Sequence, residues 1–404
     1  MGFTGETPQG GVALPNSYVV ALKPELTDQE VESHINTIKS LVDNAQSDIS
    51  GLAGSQTQFD KFSFAPGVDV SDEGEPDVGF RGYMGTFTPN ILQEIEESPL
   101  VDYIENDQYY QVQDIQPNPS SWGLSRISHL GPFNASRNEY VYDQNESGKG
   151  VTCYVIDTGV KIGHQDFGGR ARWGKTVVNG AHDTDSHGHG THVAGTIAGT
   201  KHGVAKNASI VAVKVFPDGS GMTSTSDIIK GLDWSLHDAQ AKNNTERCVV
   251  NMSVGGPYSA VFNSAVEKAV QNGIVVVVAA ANSGQNAKGF SPASSPDALT
   301  VGAIDRLDAM PSWSNWGRFL DFNAPGVDIV SCGIASATAE ATMSGTSMAS
   351  PHIAGLASCL RQKTEFVPFK SLAYELRLRA EGGCKVFPGH EFGTPNLAAV
   401  NSSI

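Results

Sequence analysis

The feature that most constrains the fold of this 404-residue chain is a series of short apolar runs that alternate with helical segments. From about residue 150 onwards, these runs are too continuous for strands that leave one face in water. The segments between them, such as 227–242 and 259–272, have the length and spacing of helices. This alternation is typical of βαβ units, so we predict an α/β domain whose mostly parallel sheet is flanked by helices on both faces. The predicted strands are 151–156, 210–216, 249–254, 274–280 and 299–303.

A different pattern occupies residues 16–112 and predicts a separate, small α+β domain. Thr27-Asp28-Gln29-Glu30 is a capping box, which begins a helix, and apolar residues follow it at helical spacing. Thr88-Pro89 begins a second helix. The element order is strand–helix–strand–helix–strand, with strands predicted at 18–22, 80–87 and 101–105.

These patterns divide the chain into four segments. A polar, proline-containing linker at 113–121 separates the α+β domain at 16–112 from the α/β domain at 122–404. Residues 1–15 have no assignment. The first residues lack the basic and apolar regions of a secretory signal, so we expect no signal peptide in this chain.

Composition excludes several classes of partner and site. The formal net charge of −16 argues against nucleic acid or an anionic membrane surface as a partner. No apolar run reaches the length of a membrane span. The five cysteines leave at least one unpaired, and because none belongs to a CxxC pair we expect no zinc site.

Three short motifs carry a carboxylate, an imidazole and a hydroxyl, in that chain order. Asp157 follows the first predicted strand of the α/β domain, and open parallel sheets hold their ligands at the carboxyl ends of strands. His189 lies in a segment of small residues, and Ser347 lies where an apolar helix begins. Serine becomes a nucleophile when a base takes its proton, and that base needs a carboxylate to orient it. The three residues together therefore predict nucleophilic acyl transfer.

Each motif also has a simpler interpretation. Asp157 alone would be a turn residue, and Ser347 alone would be a helix N-cap. A third alternative is a metal cluster around His189, although no Glu or Cys lies at ligand spacing and the segment is not an H-E-x-x-H helix. The histidines of that alternative cluster are His182, His187, His189 and His192.

The motifs Asp157-Thr158-Gly159, His189-Gly190-Thr191-His192 and the octet 345–352 resemble those of the subtilisin family, whose chain order is also Asp, His, Ser. The wider sequence is most similar to the fungal, proteinase K-like branch of that family. The α+β unit resembles the subtilisin propeptide, which implies a ferredoxin-like domain ahead of a subtilisin-like catalytic domain.

The resemblance implies a serine endopeptidase made as a self-processing zymogen. Ser347 is then the nucleophile, His189 the general base and Asp157 the residue that orients the base, and Asn282 donates to the oxyanion. The chain's own propeptide would act as intramolecular chaperone and inhibitor, and cleavage would fall within 110–117. Polypeptides are the expected substrates, the enzyme is expected to be a monomer, and the chemistry needs no cofactor.

The resemblance also implies two extended segments that hold the substrate as an added strand. Ala281 stands where the family usually has Gly. A methyl group there would narrow the S1 pocket, or strain the turn if the position has a positive φ, so we expect a preference for smaller P1 side chains than the proteinase K-like relatives accept. The expected substrate-binding residues are Gly219, Ser220, Gly221, Ser253, Val254, Gly255, Gly256 and Ala281.

A structural calcium ion is the one metal that the resemblance suggests. Its ligands would be the carbonyl oxygens of Pro296 and Ala298 and the carboxylate of Asp321. The family places the apolar runs of Cys153 and Cys248 side by side, so these two residues are either a disulfide or buried free thiols.

The resemblance implies a secreted or vacuolar enzyme, which conflicts with the absence of a visible signal and leaves the compartment unknown. Two alternatives to a general endopeptidase remain open. One is an intracellular enzyme that matures or cyclises a dedicated peptide, and the other is a catalytically silent homologue that only binds.

Overall fold

The structure, a computed structural model, describes residues 13–48, 59–64, 80–108, 114–362, 369–382, 394–398 and 400–401. The chain divides into two compact units, residues 1–111 and residues 112–404. In the described part of the chain, no helix combines the length and the apolar character that crossing a membrane requires.

The first unit is an antiparallel sheet with two helices packed against it. Val20, Ile38, Tyr83 and Ile95 form the centre of its core. The capping box forms as predicted, because Thr27 N–H donates to Glu30 Oε2 at 2.9 Å and Glu30 N–H donates to Thr27 Oγ1 at 3.3 Å. The elements are β1 (Ala13–Leu22), α1 (Asp28–Asp48), β2 (Phe59–Phe64), β3 (Phe80–Thr86), α2 (Pro89–Glu96) and β4 (Val101–Gln108).

The strand order of this unit is β2-β3-β1-β4. The sequence analysis missed β2, which pairs with β3 over its whole length. Residues 65–79, which precede β3, and residues 109–113, which include part of the expected cleavage window, lie outside the described residues.

The second unit contains the α/β arrangement predicted from the apolar runs. Its first elements are β5 (Asp114–Pro117), α3 (Trp122–Ile127), β6 (Glu139–Tyr142), β7 (Thr152–Asp157), β8 (Ala171–Thr176), α4 (His189–Ala198), β9 (Ser209–Lys214), α5 (Thr225–Ala241) and β10 (Cys248–Met252). The remaining elements are β11 (Gly256–Pro257), α6 (Ala260–Gln271), β12 (Val275–Ala279), β13 (Phe290–Ser291), β14 (Leu299–Ile304), β15 (Phe322–Pro325), β16 (Ile329–Cys332), β17 (Glu340–Met343), α7 (Thr346–Arg361), α8 (Phe369–Leu378), β18 (Glu381–Gly382) and β19 (Leu397–Ala398).

Among the described residues, nine strands form the main sheet in the order β18-β19-β15-β14-β12-β10-β7-β9-β8. All neighbours are parallel except β18 and β19. Part of the predicted linker is instead a strand, since β5 pairs antiparallel with β6 and so satisfies its backbone groups inside the second unit.

Alternate residues of the central strands enter two separate cores. Val155 and Val277 belong to the core that contains residues of α4 and α7, whereas Ile156 and Val278 belong to the core that contains residues of α5 and α6. Burial on both faces explains why the strands are continuous apolar runs in the sequence.

This geometry also decides between the two possibilities for the cysteines. The register pairs Cys153 with Val249 and pairs Cys248 with Thr152. Cys153 and Cys248 therefore enter opposite cores, and both are buried free thiols.

Candidate active site

The centre of the site is a hydrogen-bonded carboxylate–imidazole pair at the carboxyl end of β7. Asp157 is the last residue of this strand and is fully buried. Its Oδ1 lies 2.8 Å from Nδ1 of His189, the first residue of α4. The same oxygen accepts from the N–H of Thr158 at 2.7 Å. The pair fixes the orientation of the imidazole ring and leaves its other nitrogen, Nε2, without a protein partner in the described structure.

The electrostatics of the pair favour a protonated imidazole. Burial lowers the pKa of His189, but the charge of Asp157, its hydrogen bond to the ring and the charge of Asp185 together outweigh burial. The pKa of His189 is therefore raised above the ordinary value of 6.5.

Asp185 is a site residue that the sequence analysis missed. Its Oδ1 accepts from Thr158 Oγ1 at 2.9 Å and from Gly188 N–H at 2.8 Å, and its Oδ2 accepts from Thr191 N–H at 3.0 Å. Asp185 thus caps the start of α4 and ties it to the loop after Asp157. An Asp four residues before a helical His was the available signal, since acidic side chains cap helix N-termini.

Ser347 is the second residue of α7, so its N–H has no partner within the helix. Its hydroxyl donates to the carbonyl oxygen of Ser253 at 3.2 Å, and Ser253 Oγ donates to the Ser347 carbonyl oxygen at 2.9 Å. Ser253 follows β10, which lies beside β7 in the sheet. The fold therefore brings Ser347 to the same edge as Asp157 and His189, although no hydrogen bond joins Ser347 to His189 in this arrangement.

Asn282 lies on the loop after β12, the next strand along. Its Oδ1 accepts from both the N–H and the hydroxyl of Thr346 at 2.8 Å. These two bonds occupy the carbonyl end of the side chain, so the amide Nδ2 is the end that remains available as a donor beside Ser347.

A cavity of about 240 Å³ adjoins Ser347. The predicted residues Val254, Gly255 and Gly256 lie along it, and β11 extends this edge by pairing with β13. Ser253 joins the same segment to Ser347 through the two bonds given above.

Ala281 also lines this cavity and has a φ of +75°. A left-handed conformation is unusual for a residue with a side chain. A Cβ at Gly255 would lie 3.0 Å from the Cβ of Ala281, so the methyl group of Ala281 occupies space that the neighbouring glycine leaves open.

The second predicted substrate segment, 219–221, follows β9, which lies on the opposite side of β7 from β10. This segment contacts the loop before His189. Gly219 N–H donates to Ser186 Oγ at 2.8 Å, and Ser220 Oγ donates to the Met222 carbonyl oxygen at 2.9 Å. A Cβ on Gly221 would lie 3.6 Å from Nε2 of His187. Segment 219–221 thus lies beside the loop that leads to His189, and segment 253–256 lies beside Ser347.

The alternative histidine cluster does not form among the described residues. Nδ1 of His182 lies 2.7 Å from Asp218 Oδ2 at the surface. His192 is buried, its Nε2 faces the Ile329 carbonyl oxygen, and burial lowers its pKa to about 4.

Among the residues proposed for calcium, the carboxylate of Asp321 has other partners. Asp321 Oδ2 accepts from Thr300 N–H at 2.9 Å, and Oδ1 forms an ion pair with Arg377. Oxygen donors suit calcium, but a protein cation already neutralises this carboxylate. Calcium binding by Pro296, Ala298 and Asp321 would therefore require the ion to displace the Arg377 guanidinium.

Comparison with known families agrees with this geometry. Residues 148–375 match the subtilase family, Peptidase S8, and residues 17–113 match the peptidase inhibitor I9 family.

Similar proteins come from fungi. Subtilisin-like protease 3 of Arthroderma benhamiae is 41% identical over 87% of this chain and 83% of that protein. The cuticle-degrading serine protease of Arthrobotrys oligospora is 43% identical over 86% of this chain and 81% of that protein. A crystal structure of a cold-adapted subtilisin-like serine proteinase matches with a TM-score of 0.62 at 41% identity, covering 69% of this chain and 97% of the other.

Proposed function

The chain belongs to the subtilase family and is a subtilisin-like serine protease with an I9 propeptide, and we propose that Asp157, His189 and Ser347 are its catalytic triad. The observation that carries this proposal is the 2.8 Å bond between Asp157 and Nδ1 of His189, which leaves Nε2 open at the strand edge where Ser347 lies. Subtilases need no cofactor for their chemistry.

The reaction begins with a change of partner at Ser347. Its hydroxyl leaves the Ser253 carbonyl oxygen and donates to Nε2 of His189 when substrate binds, since catalytic hydrogen bonds are often long or absent without substrate. Oγ then attacks the peptide carbonyl carbon while His189 takes the proton. Asp157 stabilises the imidazolium that forms.

The negative charge that develops on the carbonyl oxygen needs donors fixed in advance. We assign this role to Nδ2 of Asn282 and to the N–H of Ser347. Thr346 holds the other end of the Asn282 amide, so the donor is oriented before substrate arrives. His189 next protonates the leaving amine, and water, activated by the same imidazole, hydrolyses the acyl-enzyme.

Substrate specificity rests on the cavity beside Ser347. We propose that the peptide adds as a strand between residues 219–221 and 253–256, with its P1 side chain in the 240 Å³ cavity. The methyl group of Ala281 takes up part of this space, which supports a preference for small P1 residues.

Residues 16–112 are proposed as the propeptide, 113–121 as the segment that contains the processing site, and 122–404 as the peptidase domain. The propeptide acts as inhibitor and folding aid, and the enzyme removes it itself. The protease is proposed to work as a monomer on polypeptides, in the secreted or vacuolar space. Cell fractionation tests this location. We expect the processed chain in the culture medium or in isolated vacuoles and not in the cytosol.

We propose that Asp321 binds calcium only after Arg377 has released its carboxylate. Arg377→Ala should therefore strengthen calcium binding measured by titration calorimetry. Equal affinity in the variant and the parent would remove this site from consideration.

Self-processing is tested with purified Ser347→Ala. The variant is expected to keep its full length and to leave casein undigested, whereas the wild-type chain shortens and digests casein. A shortened Ser347→Ala chain, purified without other proteases, would contradict self-processing. Wild-type enzyme that shortens itself but leaves casein intact would instead indicate a dedicated substrate.

A further inference from the structure

A second buried histidine–carboxylate pair lies beyond the other end of α4. Nδ1 of His202 is 2.8 Å from Oδ2 of Asp166, which belongs to a short turn after β7. The thiol of Cys332, the last residue of β16, is 3.4 Å from the same oxygen and 4.0 Å from the same nitrogen. All three side chains are buried, with exposed fractions of 8%, 2% and 0% for Asp166, His202 and Cys332.

These three atoms have the spacing of a metal ligand set. A tetrahedral zinc ion, with bonds of about 2.3 Å to sulfur and about 2.1 Å to nitrogen and oxygen, holds its ligand atoms about 3.4–3.6 Å apart. The observed separations of 2.8, 3.4 and 4.0 Å differ from that triangle by about 0.2 to 0.6 Å. Small side-chain adjustments would therefore admit the ion.

The hydrogen bonds of His202 are compatible with a ligand at Nδ1. Its Nε2 lies 3.1 Å from Oε1 of Glu340, so each ring nitrogen faces a carboxylate oxygen. A neutral imidazole has only one N–H and cannot donate to both carboxylates. Both carboxylates have a donor when the ring carries a proton on each nitrogen, or when a metal ion replaces the proton on Nδ1 and the Nε2 proton is donated to Glu340. A carboxylate behind a metal-bound histidine is the usual outer partner in zinc sites.

Two glycines, one within α4 and one directly after it, leave room for the side chains of Asp166 and Cys332. A Cβ at Gly199 would lie 2.1 Å from Oδ2 of Asp166, and a Cβ at Gly195 would lie 2.7 Å from the sulfur of Cys332. Glu340, which faces Nε2 of His202, is 39% exposed and pairs with Lys201.

We propose that Asp166, His202 and Cys332 bind one divalent transition-metal ion of the zinc class, with Glu340 orienting His202. Thiolate and imidazole ligands select zinc over calcium or magnesium, which prefer oxygen. Starting from a ring with a proton on each nitrogen, binding releases the Cys332 thiol proton and the Nδ1 proton of His202 to water, the ion takes both positions, and Nε2 keeps its proton. The ion joins the end of α4 to β16 and β17, so it stabilises the helix that begins with His189 and takes no part in peptide hydrolysis.

The test uses the full-length Ser347→Ala chain, which cannot digest itself during dialysis. After treatment with a chelator, the protein is dialysed against Zn²⁺ and its metal content is measured. One Zn²⁺ per chain, not displaced by excess Ca²⁺, is expected, and Co²⁺ in its place should give a thiolate-to-cobalt charge-transfer band. No stoichiometric Zn²⁺, or bound Co²⁺ without that band, would overturn the proposal.

Variants identify the ligands. Cys332→Ser should lose the charge-transfer band and most of the zinc affinity, whereas Cys359→Ser, which changes another free cysteine, should keep both. Glu340→Gln, at a partly exposed position, should keep the band but weaken zinc binding by about 10–100-fold. Wild-type affinity in either Cys332→Ser or Glu340→Gln contradicts the assignment, and Glu340→Gln decides the question if Cys332→Ser does not fold.

Discussion

Two histidine–carboxylate pairs lie near the two ends of α4, and they have the same first contact. In both Asp157–His189 and Asp166–His202, a carboxylate oxygen lies 2.8 Å from Nδ1 of the imidazole. They differ at Nε2, which is open to the cleft in His189 but faces Glu340 in His202. The side chain of His189 is 22% exposed, whereas that of His202 is 2% exposed.

The comparison shows that a carboxylate–imidazole pair does not define a function by itself. A base needs one nitrogen that can reach a substrate or nucleophile. At His202 both nitrogens are engaged inside the protein, and a thiol replaces the hydroxyl as the third group. The first arrangement suits proton transfer, and the second suits a bound cation.

The strongest test of the difference between the two pairs is to make the same substitution in both histidines. His189→Gln should lower kcat on a short peptide substrate by about 10⁶-fold, because the base is lost. His202→Gln should leave kcat per titrated active site near the wild-type value while lowering the melting temperature. Both are measured after the propeptide has been removed. Equal losses of kcat in the two variants would mean that the second pair also serves catalysis.

Substituting the carboxylates of the two pairs should also affect kcat unequally, but by less than substituting the histidines. Asp157→Asn should lower kcat by about 10⁴-fold, because the imidazolium loses its counter-charge and its tautomer is no longer fixed. Asp166→Asn should instead weaken Zn²⁺ binding and leave kcat unchanged. Steady-state kinetics and zinc titration on both variants check this, and a normal kcat for Asp157→Asn would exclude it from the proposed triad.

The pH profile sharpens the electrostatic side of the comparison. His189 must be neutral to act as a base, and its pKa is raised, so activity should be lost as pH falls through a midpoint above 6.5. Asp185→Asn removes one of the charges that raise this pKa, and the midpoint of kcat/KM should then move to lower pH. Replacing Glu340, whose side chain pairs with His202 and Lys201 at the other end of α4, is the matched control and should not move it.

The smallest effect is expected at the cleft wall. Ala281→Gly removes a side chain from a left-handed residue, so the free energy of unfolding should rise by about 1 kcal/mol. The enlarged cavity should also admit bulkier P1 residues. Denaturant unfolding and a P1 peptide library test the two effects, and identical P1 profiles for variant and parent would remove Ala281 as a determinant.

Sequence reasoning succeeded where neighbouring residues carry the information. The apolar runs predicted β7, β10, β12 and β14 because burial on both faces leaves a continuous signal. The motif around Ser347 placed it at the start of a helix, where α7 does begin.

It failed where contacts are long-range. β15 is fully buried although it contains Asn323 and Pro325, so its sequence is not a continuous apolar run. It is a strand because it pairs with β14, and that contact is not visible in its own sequence. Asp166, His202 and Cys332 follow no motif, since 36 residues separate the first two and 130 separate the last two. The absence of a CxxC pair led to the expectation of no zinc site, and the cluster proposed above as a zinc site brings its three residues together from distant segments.

The triad assignment is tested most directly by the reaction of the processed enzyme with a fluorophosphonate probe, followed by peptide mapping. We predict a single label on Ser347, a labelling rate that falls at low pH as His189 becomes protonated, and almost no label in His189→Gln. Labelling of another residue, or labelling of Ser347 that proceeds equally well without His189, would contradict the account.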